Sequence, residues 1–153
     1  MPRGKGNRHE RVGCRRPARS SAPQFAFGHG LSYTTFEYSA IKLSRNRIKP
    51  GESLIAEVQV KNTGRRAGAE VVQLYVQDVK ASVPRPLKEL KGFEKILLQP
   101  QQTKVVRLNL DARAMAFYDV TKKQWVVEPG QFKIMIGSSS RDIRVSADFE
   151  VTA

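Results

Sequence analysis

The feature of this sequence that most constrains its fold is a two-residue alternation of apolar and polar side chains. In the segment SLIAEVQVKN, residues 53–62, the four even-numbered positions from Leu54 to Val60 are apolar, and they alternate with Ile55, Glu57, Gln59 and Lys61. Successive side chains of a β-strand point to opposite faces, so this period predicts strands with one buried face. Four further segments repeat the pattern: 71–78, 103–111, 131–137 and 141–151.

Turn-forming residues separate these segments. They are Pro50-Gly51, Asn62-Thr63-Gly64, Pro84 to Pro86, Pro100 and Glu128-Pro129-Gly130. No segment has a sustained helical period, and residues 111–120 have room for one helical turn at most. Short strands divided by turns every ~8–12 residues predict an all-β protein, an immunoglobulin or fibronectin type III-like antiparallel β-sandwich of about seven strands.

The first 24 residues differ in composition from the rest. They contain one Val and no Ile, Leu or aromatic residue, and they carry +6 of the net charge of +13. Such a segment has too little apolar surface to offset its ordering entropy, so we expect residues 1–24 to be disordered. Three interpretations remain: a nucleic-acid-binding arm, a targeting peptide, or a stretch foreign to the native domain, such as a frame-shifted sequence. The abrupt change at Phe25 favours the last, and no specific nucleic-acid partner is indicated.

The remaining sequence signals exclude several classes of site. Cys14 is the single cysteine, so no intramolecular disulfide can form. No apolar run approaches the ~18–20 residues that span a membrane, and no cluster has metal-ligand spacing. We expect no cofactor, no metal and no membrane partner, and the compartment cannot be inferred from these residues.

Five motifs in order resemble one known domain. They are FGHGLSYTTFEYS (27–39), GAEVVQLYVQD (68–78), RPLKELKGFEK (85–95), AMAFYD (114–119) and WVVEPGQFKIMIGSSSRDI (125–143). Together they are similar to the C-terminal fibronectin type III-like domain of family 3 glycoside hydrolases, which include β-glucosidases and β-xylosidases. The resemblance covers residues 25–151.

The resemblance implies a division of labour within a larger enzyme. Retaining glycosidases need two carboxylates about 5–5.5 Å apart, and in this family both lie in the domains that precede the module. The resemblance therefore implies a non-catalytic module, here a fragment without the catalytic domains, that braces those domains in cis. It divides the chain into the basic segment 1–24, an interdomain connector at 25–35 and a fibronectin type III-like domain at 36–153.

The resemblance also predicts which residues face the catalytic domains. The aromatic and apolar side chains of the connector would pack across the domain seam, and its two glycines would supply tight backbone bends. The segment 82–95 is either a second docking loop or an ordinary crossover whose apolar residues enter the core. The predicted interdomain contacts are Phe25, Phe27, Gly28, His29, Gly30, Leu31, Tyr33, Phe36, Arg85, Leu87 and Lys88.

Other residues with chemical potential have structural interpretations as well. His29 is better explained as a neutral interface residue than as a catalytic one. The carboxylates of Asp78, Glu89, Asp119 and Asp142 sit where turns and caps are common. Trp125 is a candidate sugar-stacking residue, although core packing or a seam contact is the favoured interpretation.

Two alternatives to the bracing function stay open at this point. One is an independent β-sandwich module that binds carbohydrate or protein. The other is a self-sufficient hydrolase, which would turn over an aryl β-glycoside without other domains. The sequence contains no pair of carboxylates whose spacing identifies a catalytic acid and nucleophile.

Overall fold

The computed structural model describes residues 23–153 of the 153-residue chain. Apart from Pro23 and Gln24, the predicted disordered segment 1–24 lies outside the described residues. Within residues 23–153, no helix has the length and apolar character needed to cross a membrane. The strands are numbered β1–β11 in chain order.

One sheet is built around the central strand β4. Its four strands are β1 (Phe36–Tyr38), β2 (Lys42–Leu43), β4 (Leu54–Asn62) and β7 (Thr103–Leu110). β7 pairs along the length of β4 from Leu54↔Leu110 to Lys61↔Thr103. β1 and β2 pair with the opposite edge of β4, and all of these pairings are antiparallel.

The second sheet faces the first across the core. Its strands, in spatial order, are β3 (Arg47–Ile48), β11 (Ile143–Val151), β10 (Gly130–Gly137), β5 (Gly68–Asp78) and β6 (Glu89–Leu98). Only the two-residue strand β3 runs parallel to its neighbour. Two antiparallel sheets of this size, packed face to face, form the predicted β-sandwich.

The alternating positions fill the space between the sheets. In β4, the side chains of Leu54, Ala56, Val58 and Val60 are at most 1% exposed, as the period predicts. β5 departs from the pattern, because Gln73 and Tyr75 are buried between the core residues of that strand. A strand is buried on both faces only when something covers its outer face. Here the outer face of β5 is covered near Gln73.

The remaining elements lie between β7 and β10. A single helical turn, α1 (Ala112–Met115), begins at Asp111, whose carboxylate accepts a hydrogen bond from the Ala114 backbone N–H. A short hairpin follows, formed by β8 (Phe117–Asp119) and β9 (Gln124–Val126). Within residues 23–153 there are six long strands and five of two or three residues each, so the predicted count of about seven describes the framework of this part of the chain.

Candidate domain-docking surface

The side chain of Gln73 attaches the segment 25–35 to the outer face of β5. Its amide nitrogen donates to the backbone carbonyl of Gly28 at 3.0 Å and to that of Ser138 in the loop between β10 and β11. Its amide oxygen accepts the hydroxyl hydrogen bond of Tyr75 at 2.6 Å. Gln73 is 3% exposed, and its amide nitrogen and oxygen both have hydrogen-bond partners inside the protein, as a buried amide requires. This one side chain joins the 25–35 segment, β5 and the β10–β11 loop.

The two glycines of the 25–35 segment have different roles. Gly28 has φ of +76°, and an added Cβ would lie 2.1 Å from the side-chain oxygen of Gln73. Gly30 has no positive φ, and an added Cβ would meet nothing within 4 Å. The predicted tight bend is therefore present at Gly28, whereas the expectation of a bend that requires glycine at Gly30 is wrong, because that position has open space and an ordinary backbone.

The β10–β11 loop connects the two predicted contact segments through Ser140. The Ser140 backbone N–H donates to the carbonyl of Phe27 at 3.0 Å, and the Ser140 carbonyl accepts from the ammonium group of Lys88 at 2.6 Å. Phe27 and Lys88, which are 61 positions apart in the sequence, are thus both hydrogen-bonded to the backbone of Ser140. The two segments predicted as candidate contacts therefore lie next to each other in the structure.

A second anchor holds the end of the 25–35 segment. The hydroxyl of Thr34 donates to the side-chain oxygen of Asn62 at 2.6 Å, and the Asn62 amide nitrogen donates to the carbonyls of Arg66 and Leu98. Asn62 is fully buried. A Cβ at Gly64 would lie 2.1 Å from the Thr34 hydroxyl, so the turn after β4 needs a glycine for Thr34 to approach. The segment is therefore fixed at both ends by buried amide side chains.

Large apolar side chains project outward from this anchored backbone. Their exposed fractions are 93% for Leu31, 92% for Tyr33 and 65% for Phe27. Leu87 and Phe93, on the neighbouring loop and on β6, are 75% and 66% exposed. We call these five residues the apolar patch. A cleft of about 540 Å³ between the 25–35 segment and the sheet is lined by three of them: Phe27, Leu31 and Phe93.

Three other residues predicted to contact the catalytic domains lie outside the apolar patch. Phe36, the first residue of β1, packs against the core and is only partly exposed. Phe25 stacks on His29 with ring centroids 5.2 Å apart, and both residues are exposed. The contacts of His29 are this stacking and a turn, in which its backbone N–H donates to the carbonyl of Ala26 at 3.0 Å. Neither contact is of the kind that a catalytic histidine needs.

Arg85, one of the predicted contacts, is used within the module. Its guanidinium donates to Glu89 at 2.9 and 3.0 Å, to Asp78 at 3.4 Å and to the backbone carbonyl of Met115 at 3.2 Å. The Arg85 side chain is 6% exposed and lies over the ring of Phe117. The prediction that Arg85 contacts the catalytic domains is therefore corrected, because its guanidinium is bound to these partners inside the module.

The carboxylate of Glu89 titrates abnormally because of this network. Burial alone would raise the pKa of Glu89, but hydrogen bonds from Lys91 and Arg85 outweigh it, so the pKa is lowered. The network ties the end of β5, the 79–88 loop and the start of β6 to the region of α1. Arg85 thus anchors the segment 82–95 internally, whereas Leu87 and Phe93 are 75% and 66% exposed and do not enter the core.

The other candidate carboxylates have structural partners. Asp119 accepts backbone hydrogen bonds from Lys122 and Thr121, which lower its pKa. Asp142 accepts from the hydroxyl of Ser138 at 2.7 Å and from Arg144 at 2.7 Å, and its pKa is lowered, most of all by the Ser138 bond. These carboxylates close turns. Among residues 23–153, no group of three His, Cys, Asp or Glu side chains could hold a metal ion.

Burial also perturbs a tyrosine–carboxylate pair beside the cleft. The hydroxyl of Tyr38 donates to Glu70 at 2.7 Å. Burial raises the pKa of both groups, and the negative charge of Glu70 raises that of Tyr38 further. The pair links β1 to β5, and so connects the two sheets at the cleft.

Trp125 lies outside the core, which removes one of the two favoured interpretations and leaves the seam contact as a prediction. The side chain is 57% exposed, so the expectation of core packing is wrong. The reason is that β9 belongs to the short hairpin and not to either sheet of the sandwich, so neither face of that hairpin lies between the sheets.

Two residues that position this surface were missed from the sequence. Gln73 stands at an outward position of β5, where a glutamine usually faces solvent. Asn62 had a detectable signal, because it continues the inward series of Leu54, Ala56, Val58 and Val60 with a polar side chain. A buried amide at such a position requires partners.

Comparison with known proteins defines the class of this fold. Residues 70–140 match the family model of the fibronectin type III-like domain. The sandwich described above is therefore a fibronectin type III-like domain.

The relatives and solved structures to which this chain is similar are β-glucosidases. The chain is 52% identical over 131 residues to thermostable beta-glucosidase B of Acetivibrio thermocellus, a match that covers 86% of this chain. The beta-glucosidase of Listeria innocua, solved with glucose, superposes with a TM-score of 0.81 at 40% identity over 97% of this chain. The GH3 beta-glucosidase of Bifidobacterium adolescentis superposes with a TM-score of 0.79 at 35% identity over 85% of this chain.

These matches confirm the resemblance read from the motifs. The chain matches the part of family 3 β-glucosidases that forms their non-catalytic fibronectin type III-like module. It spans 17% of the length of the Acetivibrio relative, 20% of the Listeria chain and 19% of the Bifidobacterium chain. The relatives are accordingly much longer proteins in which this module occurs together with other domains.

Proposed function

We propose that this module braces the catalytic domains of a family 3 β-glycosidase by docking through the apolar patch. The observation that carries the proposal is the combination of outward apolar side chains with a fixed backbone. Leu31 and Tyr33 are more than 90% exposed, while the segment that bears them is held by the buried amides of Gln73 and Asn62. Preorganised anchors lose little conformational entropy on docking, which favours a stable interface.

The chemistry of the patch is consistent with a domain seam. Burying one leucine or aromatic side chain contributes about 1.5–3 kcal/mol, so five such residues are enough to hold two domains together. Lys88 lies beside them with its ammonium group on the Ser140 carbonyl. In this proposal the 25–35 segment is the connector to the preceding domain, and the partner is supplied in cis.

The proposed effect on catalysis is indirect. A retaining glycosidase requires its two carboxylates about 5–5.5 Å apart. When these carboxylates come from two domains, small changes in domain placement change the rate, because misplacement of reacting groups by about 1 Å costs on the order of 100-fold. A brace that fixes the two domains can therefore alter kcat without touching the substrate.

A chimeric enzyme tests the proposal. Residues 25–153 would replace the matching module of the Acetivibrio β-glucosidase, and hydrolysis of an aryl β-glucoside would be measured. We expect an active chimera that loses at least ~10-fold in kcat, or several degrees in its thermal midpoint, when Leu31→Asp and Tyr33→Asp are combined.

The matched control is Val120→Asp, which changes an apolar side chain that is 77% exposed in the turn between β8 and β9. It should leave the chimera unchanged. Both variants should also leave the isolated chain folded, since the substituted side chains are exposed. Equal activity and stability of the Leu31/Tyr33 chimera and the unsubstituted chimera would contradict docking through this surface.

A further inference from the structure

A second surface feature lies away from the docking surface, around Trp125. Trp125 and Tyr118 are directly paired across the β8–β9 hairpin and share one face of it. Their rings meet edge to face with centroids 5.8 Å apart, and the side chains are 57% and 49% exposed. We call these two rings, which lie at 71° to each other and are both in contact with solvent, the Trp125–Tyr118 platform.

A hollow of about 460 Å³ adjoins this platform, within the range of about 300–1,000 Å³ typical of small-molecule sites. Its lining is mostly apolar: Pro50, Gly51, Ala112, Arg113, Ala116, Trp125 and Val127. The guanidinium of Arg113 lies 5.4 Å from the centroid of the Trp125 ring. Among the described residues, Arg113 makes no ion pair, so its donors are free for a ligand.

The hollow and the Thr34 anchor of the 25–35 segment lie near opposite ends of β4. β4 runs from Leu54, which pairs with Leu110 just before α1, to Asn62, which anchors Thr34. Eight residue steps separate these ends, or roughly 26 Å at ~3.3 Å per residue. A partner that covers Leu31 and Tyr33 would therefore leave Trp125 accessible.

We propose that the Trp125–Tyr118 platform and Arg113 form a carbohydrate-binding site for a β-linked gluco-oligosaccharide. A β-glucose ring has equatorial substituents, so its axial C–H groups form flat apolar faces that stack on an aromatic ring. Its hydroxyls accept hydrogen bonds from the Arg113 guanidinium, which has several donors and no acceptor. The ligand is uncharged, and the site combines the apolar face and the donors that such a ring requires.

The site has a built-in reporter, because Trp125 is the only tryptophan in the sequence. The full 153-residue chain would be titrated with cellotetraose while its tryptophan emission is followed. We expect a saturable change with a Kd on the order of 1 mM, as for a small open site. Sorbitol has hydroxyls but no ring face, and it should give no saturable change.

Ligand-observed NMR with the same sugar extends the test to variants without tryptophan. Trp125→Ala should weaken binding at least ~10-fold, and Trp125→Tyr should retain part of it. Tyr33→Ala is the matched control, since it removes an aromatic side chain that is 92% exposed on the segment anchored near the other end of β4. If the unfolding midpoint of Trp125→Ala is lowered, Arg113→Gln tests the same site with the tryptophan in place and should also weaken binding.

The outcomes separate clearly. A saturable response that Trp125→Ala removes and Tyr33→Ala retains supports the site. No saturable response in the unsubstituted chain overturns the proposal, and so does binding that survives in Trp125→Ala or is lost in Tyr33→Ala. None of these measurements depends on the bracing function, so the two proposals stand or fall separately.

Discussion

At the scale of single residues, the surface is determined by contacts between side chains and backbone that are far apart in sequence. Gly28 needs to be glycine for two reasons: its φ of +76° and the space occupied by Gln73, which is 45 positions away. The sequence indicated the first reason, since glycines commonly mark bends. It could not indicate the second, because nothing local to Gln73 shows which backbone lies across it.

The pair of glycines supplies a direct test. Gly28→Ala should lower the free energy of unfolding by about 1–3 kcal/mol, because the left-handed backbone is strained for alanine and the new Cβ collides with the buried amide. Gly30→Ala should be neutral or slightly stabilising, since it fits without strain and restricts the unfolded chain. Urea unfolding followed by circular dichroism measures both. Equal losses in the two variants would show that Gly28 has no special role.

At the scale of elements, the loop between β5 and β6 is stabilised by charge inside the protein. Arg85 and Asp78 have side chains that are 6% and 5% exposed, and Glu89 is 24% exposed. Removing one member of a buried ion network leaves its partners uncompensated, which is strongly destabilising. From the sequence, the prolines on either side of Arg85 indicated a turn. Only the fold shows that its arginine points inward and its leucine outward.

The lowered pKa of Glu89 makes this stabilisation depend on pH. The folded pKa lies below the unfolded value of about 4.3, so the contribution is present above that pH and is lost as the pH falls through the folded pKa. Glu89→Gln should therefore be less stable than the unsubstituted chain at pH 7, by about 1–3 kcal/mol. The gap should shrink as the pH falls below about 4.3.

Urea unfolding at several pH values checks this dependence. Glu37→Gln is the control, because Glu37 is exposed and lies on β1, away from the network. A gap between Glu89→Gln and the unsubstituted chain that is constant from neutral to acid pH would contradict the assigned role of the carboxylate.

At the scale of the whole molecule, the sandwich presents two different ends. Leu31 and Tyr33 lie on the segment that is anchored near one end of β4, and Trp125, Tyr118 and the adjoining hollow lie near the other. Soluble monomeric proteins rarely expose large contiguous apolar patches unless these have a function. The module is therefore expected to behave differently alone and in a larger enzyme.

Without its catalytic domains, the chain should associate with itself through the apolar patch. Sedimentation velocity over a range of protein concentrations should show reversible oligomers. Leu31→Asp combined with Tyr33→Asp should shift the chain to the monomer, because each substitution places a charge where apolar contact is needed. Val120→Asp should not change the distribution, and a monomer at all concentrations in the unsubstituted chain would argue against an adhesive patch.

Local sequence pattern determined the secondary structure and the two-layer fold. Successive residues of a strand lie on opposite faces of the sheet, so the alternation of apolar and polar residues along a short segment indicates which face is buried. The sequence also predicted a turn at Pro50-Gly51 and at most one helical turn within residues 111–120, and the structure contains both.

The tertiary structure alone decided which side chains remain outside. Arg85 turned inward because Asp78 and Glu89 surround it, and Trp125 stayed exposed because its hairpin lies outside both sheets. Gln73 became an anchor because Gly28 and Ser138, distant in sequence, cross β5 at its position. Such burial depends on long-range packing, which a residue's immediate neighbours do not encode.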